Sequence, residues 1–599
     1  MNKYFLLLST CLFATILIIT CRPQPSSTPV EEAKAWFIKD LDSLEGLVNV
    51  ELLQLAQRSN DQDSLQSVFL KSRLQYKKIE HFTEYFFPTT SRLVNGPPLP
   101  EYELEENKSF EPGGLQVIEE HLFPFDSTKR TELIREIKKL QPELRRYREL
   151  WEATEFTEAH LFDAVRLQLF RNISLGISGF DTPLCKTAVP ELAVSLKALQ
   201  QYANLFKSSK SDSINHLFGE AIVFANQNYN FDSFDRLAFI TQYANPLTAQ
   251  LLAQQKELKI MPFTELRALR GDVATLFDKN AFDPNYYTGN ADLFGSDAKV
   301  ALGKVLFYDT QLSSNHERSC ATCHQPQRAF TDGLSKSLKL SGGNIERNAP
   351  TILYAALQQR QFHDQRANSL EVQTQDVIQN RDEMHGSLPE ACNALQKDAK
   401  YMSLFRRAFP DLKQIEPKHV MNALASYERS LMPFNSRFDQ YMRGKDAMLS
   451  SSEKRGFNLF MGKAKCGICH FMPLFNGTVP PSFTKSESEV IGVMTAPRSR
   501  KMDPDLGKGF NYPTLPDLKY AFKTPTVRNI DLTAPYMHNG AYKTLEEVID
   551  FYDHGGAVGF GLDLPNQTLP SDKLNLNKQE KADIIAFMRT LSDIAQNPL

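Results

Sequence analysis

Two pentapeptides constrain this chain more than anything else in its 599 residues: Cys320-Ala-Thr-Cys323-His324 and Cys466-Gly-Ile-Cys469-His470. Each is a C-x-x-C-H, the spacing that attaches c-type haem. Two thiols one helical turn apart reach the two vinyl groups of one porphyrin edge, and the imidazole that follows is delivered to the iron as proximal ligand. A zinc ribbon does not fit, because 142 residues separate the two pairs whereas ribbons use about 15 to 20. Neither zinc nor dithiol chemistry calls for His directly after both pairs. The pattern therefore implies two covalent haem c groups, with His324 and His470 on the iron atoms.

The leader agrees with that reading, since c-type haem is attached outside the cytoplasm. Residues 4–20 are almost wholly apolar and run into Cys21 and a Pro/Ser-rich stretch, the layout of an export signal. Ile18-Ile19-Thr20-Cys21 resembles a bacterial lipobox, so we expect residues 1–20 to be a lipoprotein-type signal peptide, Cys21 to carry lipid, and residues 21–33 to be an extended tether. The competing readings are a retained anchor, because about 17 to 20 apolar residues span a bilayer, and plain secretion. All three put the folded part outside the cytoplasm, and we expect it in the periplasm or cell envelope, held to a membrane through a lipid anchor only. Lys+Arg at 68 against Asp+Glu at 71 gives a net charge of -3, so there is no basic field to collect nucleic acid.

Residues 34–265 hold no C-x-x-C-H and repeat apolar residues at helical spacing. Leu192, Leu196, Leu199, Tyr202 and Leu205 form one stripe, and Leu74, Ile79, Phe82 and Phe86 suggest another. This half reads as a helical bundle of unknown role. Its stretch Gly113 to Glu119 faintly resembles the Gly-x-His-x-x-Glu of imelysin-like helical domains, with Gln116 where their His stands, and we expect Glu119 and His121 on a helix surface. Residues 266–292 look like a linker. Cys185 and Cys392 stand alone, as a disulfide or as two buried thiols.

From about residue 290 to 599 the chain resembles the diheme bacterial cytochrome c peroxidase family, which includes diheme oxidases of the MauG type. The resemblance rests on LGKVLFYDTQLS at 302–313, RNAPTILYAA at 347–356, QFHDQRA at 361–367, QNRDEM at 379–384, FKTPTVRN at 522–529 and APYMHNGAYKTLEEVIDFYDHGG at 534–556, in the family's order around the two motifs. It implies an all-α fold: the N-terminal helical bundle followed by two cytochrome c-type haem domains, a peroxidatic low-potential one at 293–440 and an electron-transfer high-potential one at 441–599.

The resemblance also implies roles. Glu383 is the expected acid-base carboxylate at the first haem, helped by Gln373, and Met537 is the expected sixth ligand of the second haem, with His538 as its competitor. Asn348 matches a side chain that relatives use for calcium, together with backbone oxygens and water. Two departures stand out: no His lies between His324 and His363, where many relatives place one that blocks the first haem, and His363 replaces a Trp that relatives hold between the haems. The implied activity is hydrogen peroxide reduction with electrons from a small cytochrome or cupredoxin, and a homodimer is the implied assembly. The alternatives are a MauG-like oxidase acting on another substrate, and a non-enzymatic electron shuttle or redox sensor.

Overall fold

In the computed structural model, residues 27–103 and 108–594 are described. The expected signal peptide, Cys21 and most of the tether lie outside them. Helices dominate. The strands among the described residues are two short antiparallel pairs, Glu101–Glu103 with Lys108–Phe110 and Ser488–Glu489 with Phe522–Lys523. No helix of the described residues is long and apolar enough to cross a membrane.

The first helix, α1 (Pro29–Glu45), starts inside the segment expected to be tether. Thr28 and Glu31 explain the earlier start: Glu31 N donates to Thr28 Oγ1 at 3.2 Å and Thr28 N to Glu31 Oε2 at 2.8 Å, a capping box with Pro29 at the first helical position. The bundle continues with α2 (Gln62–Phe86), α3 (Leu115–Leu122), α4 (Arg130–Ala153), α5 (Glu158–Ser174), α6 (Ala188–Ala203) and α7 (Ser211–Gln227). Leu192, Leu196, Leu199 and Tyr202 of α6 are buried as one face, and Phe37 of α1 stacks on Trp151 of α4 at 4.1 Å.

Helix α2 departs from the apolar-stripe expectation because it is buried on almost every side, with Arg73, Lys77 and Glu80 inside. These charges survive burial because each is paired. Arg73 grips Glu191 at 2.7 and 3.0 Å, Lys77 reaches Glu80 at 2.5 Å and Asp181 at 2.6 Å, and Arg171 holds Asp181 at 2.9 and 3.1 Å. Glu119 belongs here too and corrects a sequence expectation. It is fully buried, with Oε1 accepting from Cys185 N at 2.7 Å and Leu184 N at 3.2 Å, while Gln116 donates to Asn95 O at 2.9 Å. Cys185 and Cys392 are both free thiols.

Residues 266–292 connect the halves but are packed rather than loose. Leu269, Val273, Leu276, Phe277 and Phe282 are buried, Arg166 donates to Gly271 O and Val273 O, and Arg443 donates to Phe277 O. The segment lacks regular periodicity, so its packing has no signature in sequence.

The second half contains one arrangement twice. Helix α8 (Asp297–Phe307) precedes the first pentapeptide and packs on α10 (Pro417–Ser430), which lies beyond α9 (Leu370–Gln379). Helix α11 (Ser451–Met461) precedes the second pentapeptide and packs on α13 (Lys578–Arg589), which lies beyond α12 (Leu545–Asp553). Both crossings turn on a glycine. A Cβ on Gly303 would sit 1.9 Å from Ala423 O, and one on Gly456 would sit 1.9 Å from Asp583 O. Only a residue without a side chain lets the two helices approach this closely. The repeat places each pentapeptide just after the first helix of such a pair.

Candidate functional site

Ser319 N donates to Thr322 Oγ1 at 3.1 Å and starts the single helical turn Cys320–Cys323, which puts both thiols on one side. His324 N closes the turn on Cys320 O at 2.9 Å. The chain then folds back through Ala329 and Phe330, at φ 50° and 59°, and brings Phe330 O within 3.0 Å of His324 Nδ1. A carbonyl only accepts, so Nδ1 carries the proton and Nε2 keeps a free lone pair. Burial lowers the His324 pKa, which keeps the ring neutral.

The second pentapeptide reaches the same chemistry by a different backbone. A 3-10 turn at Cys466–Ile468 follows Lys465 at φ 55°, and His470 N bonds Cys466 O at 2.9 Å. His470 Nδ1 lies 3.0 Å from Pro525 O, and burial takes this imidazole down to about 4. All six Cys and His side chains are half-buried, neither sealed in the core nor on the open surface. Two half-buried thiols on one turn and a neutral imidazole whose Nδ1 is held by a carbonyl fit a covalently attached haem at each motif.

Glu383 lies beside the first motif. Its turn follows α9 and is stitched to the residues just before Cys320: Ser314 N donates to Met384 O at 3.0 Å, and Arg318 Nη1 reaches Glu383 O at 3.4 Å. Asn380 Nδ2 donates to Glu383 Oε1 at 2.7 Å, and among the described residues Oε2 has no hydrogen-bond partner. Burial pushes the carboxyl up to about 7, against the opposing pull of Arg366 and the Asn380 bond. Gln373, Asp376 and Asn380 share one face of α9, and Gln373 Oε1 is buried without a partner. A half-buried carboxylate with one oxygen fixed and the other unengaged can accept a proton and return it.

Met537 sits in a loop with a different character. Its own φ is 68°, and Gly540 N closes a turn on Met537 O at 3.1 Å while Tyr536 N bonds Tyr542 O at 2.6 Å. Beyond the loop, Thr544 and Glu547 form the capping box expected from sequence, with Glu547 N bonding Thr544 Oγ1 at 3.2 Å. His538 is committed elsewhere: its ring stacks on Phe522 at 3.9 Å, and Nε2 lies 3.4 Å from Asp503 Oδ1. Met537, between the buried Tyr536 and His538, is half-buried.

The two halves of the site meet at Asn348. Its backbone N donates to His538 O and its Nδ2 to Pro535 O, both at 2.9 Å, so one residue of the first module brackets Met537. His363 stands at the same junction, with Nε2 3.4 Å from Asn348 O and its own carbonyl accepting from Lys523 N at 2.8 Å. It therefore lies between the modules rather than beside Glu383. Burial, with His538, Arg347 and Lys523 adding positive charge, takes it down to about 3. Among the described residues no group of three or more His, Cys, Asp or Glu is arranged to hold a metal ion.

Sequence reasoning passed over Asn380 and Arg318, which position Glu383 through a side-chain amide and a backbone carbonyl. Asn380 lies three residues before Glu383, a spacing that hints at a local bond in hindsight; Arg318 has no such signal. Two arginines of the family-like stretches, Arg366 and Arg528, are paired. Arg528 is buried on Asp439 at 2.7 and 2.9 Å, and Arg366 stacks on Phe362 at 3.5 Å and bonds Asp376 at 3.0 Å.

The chain is similar to several known proteins. The family profile for di-haem cytochrome c peroxidase matches residues 297–447. The methylamine utilization protein MauG of Methylorubrum extorquens is 35% identical over 294 residues, 49% of this chain and 78% of that protein. The cytochrome c551 peroxidase of Pseudomonas aeruginosa is 31% identical over 299 residues, 50% of this chain and 79% of that protein. A crystal structure of a MauG-like protein associated with microbial copper homeostasis aligns at 33% identity over 51% of this chain and 92% of its own, with a TM-score of 0.45.

Proposed function

Because the chain belongs to the di-haem cytochrome c peroxidase family, and is an oxidoreductase with haem c cofactors, we propose that it reduces hydrogen peroxide to two waters, using two electrons from a small donor cytochrome or cupredoxin and two protons. The first haem is held by Cys320, Cys323 and His324 in residues 293–440, and the second by Cys466, Cys469 and His470 in residues 441–599. Haem bound at each position would supply the redox iron, for peroxide chemistry at the first and for electron transfer at the second.

The protein does the rest. Glu383 Oε2 takes a proton from one oxygen of peroxide and returns it to the other as the O–O bond breaks, so that the departing group leaves as water. Asn380 holds Oε1 still during that exchange. The Gln373 carboxamide orients the substrate oxygen by hydrogen bonding. Met537 would offer a haem held at the second motif a thioether, which would favour the reduced state and raise the potential. Asn348 brings its carboxamide against Pro535 O, and turning that amide to present Oδ1 would supply two of the roughly six to eight oxygens that calcium takes, the rest coming from backbone and water. Export, lipid attachment at Cys21 and homodimer formation belong to the same proposal.

The observation that carries this reading is the state of Glu383: anchored beside the first motif, one oxygen bonded, one free, and its proton affinity raised to about 7. Steady-state peroxide reduction with a reduced donor cytochrome tests it, comparing wild type with Glu383→Gln. A shuttle shows no turnover in either protein. A MauG-like oxidation of another substrate remains the second reading, favoured by the likeness to a methylamine utilization protein and by the lack of a His between His324 and His363. Met537 opposes it, since the MauG type carries Tyr at that position.

A further inference from the structure

We propose that the N-terminal bundle tunes the second haem: Arg236 sets a buried guanidinium without a counter-ion against the turn that leads into the second attachment motif, and its charge raises that haem's potential. The inference rests on the reading that Cys466, Cys469 and His470 hold a haem. It gives the bundle a part in the chemistry that docking alone does not.

Arg236 is 0% exposed. Its Nε donates to Ile177 O at 2.8 Å, Nη1 to Phe234 O at 3.1 Å and Nη2 to Phe231 O at 2.7 Å, and the Phe231 ring lies 4.5 Å from the guanidinium carbon. Three carbonyls satisfy the donors but carry no net charge. Among the described residues no carboxylate comes within ion-pair distance, in contrast to Arg73, Arg171 and Arg528. The acidic neighbours are Asp232, which is exposed and paired with Lys186 at 2.8 Å, and Asp235, which is exposed and accepts from Ala238 N and Asn458 Nδ2, both at 3.0 Å. Water screens both, while the guanidinium is out of its reach.

The charge faces the second module directly. A Cβ on Gly462 would lie 2.7 Å from Arg236 Cζ, so the guanidinium packs flat on that glycine's backbone. Gly462 ends α11, its carbonyl accepts from Lys465 N at 2.8 Å, and the next residue is Cys466. The interface is fixed around it: Leu237 N donates to Asn458 Oδ1 at 3.2 Å, and Phe180 meets Phe471 edge-on at 5.8 Å. An unscreened positive charge in a low-dielectric interior favours the redox state that carries one more electron. Near the first motif Arg318 also rests on carbonyls, but it keeps accessible surface, so its field is weakened by solvent.

The test is a spectroscopically followed redox titration of the intact two-haem protein, comparing wild type, Arg236→Met and Arg236→Lys. Met should shift the second haem's midpoint potential down and leave the first haem's unchanged. Lys keeps the charge but not the three-way hydrogen bonding, and should stay near wild type. Equal potentials in Met and wild type would overturn the inference, as would Lys falling as far as Met, which would assign Arg236 a purely structural task. Should Arg236→Met not fold, Gly462→Ala displaces the guanidinium from the other side. A smaller downward shift supports the proposal and an unchanged potential contradicts it. Haem count by mass on the same wild-type sample separates the two claims, because fewer than two attached haems sinks the haem reading itself.

Discussion

The two attachment modules share a pentapeptide pattern, a helix crossing and a glycine at that crossing, yet the side chains around them differ. Beside the first motif stand a carboxylate with a free oxygen and a carboxamide whose oxygen is buried without a partner. The loop that serves the second offers a thioether, with the neighbouring imidazole stacked away on Phe522 and the loop bracketed by Asn348. A carboxylate and a carboxamide at one site and a thioether in a backbone-tied loop at the other teach that one helix frame can carry different chemistry according to the segments that follow it.

The comparison breaks most completely if the motifs are not equivalent anchors. Cys466→Ser with Cys469→Ser should remove one covalent haem by mass and leave the first module loaded, and the same change at Cys320 and Cys323 should do the converse. Glu383→Gln should lower peroxide turnover by about 10²- to 10⁴-fold, the usual worth of a positioned acid-base group, while the second haem's spectrum stays unchanged. Arg528→Met leaves Asp439 buried without its partner, at a cost of about 3–5 kcal/mol in unfolding free energy; denaturant titration should show the loss. The smallest effect concerns pH. Glu383 acts as a base only when ionised and its pKa is raised to about 7, so turnover should climb as pH rises through that value. The Asn380 bond lowers that pKa, so Asn380→Ala should move the rising limb to higher pH, read from the pH profile of turnover.

Much of this was legible in the amino-acid sequence, because covalent haem attachment is local chemistry written in five consecutive residues. The stripe through Leu192, Leu196, Leu199 and Tyr202 and the capping box at Thr544 and Glu547 were legible for a similar reason: their spacing is the periodicity of a helix. What stayed hidden depends on partners distant in the chain. Arg73 meets Glu191 and Lys77 meets Asp181 across the bundle, so charges that ordinarily mark a solvent face lie inside one, and Glu119 was misplaced on the surface by the same logic. Residues 266–292 have no periodicity and still pack. Arg236 has no local signal at all, since its meaning lies in the carboxylate that is missing around it and in Gly462 more than two hundred positions away.

The claim on which everything turns is that the two haems differ in what faces the iron. Electron paramagnetic resonance of the fully oxidised, two-haem protein at low temperature tests it most directly. An open first position and a Met537-ligated second predict one high-spin and one low-spin ferric signal in equal amounts. Two low-spin signals would contradict the open first haem, and two high-spin signals would contradict ligation by Met537.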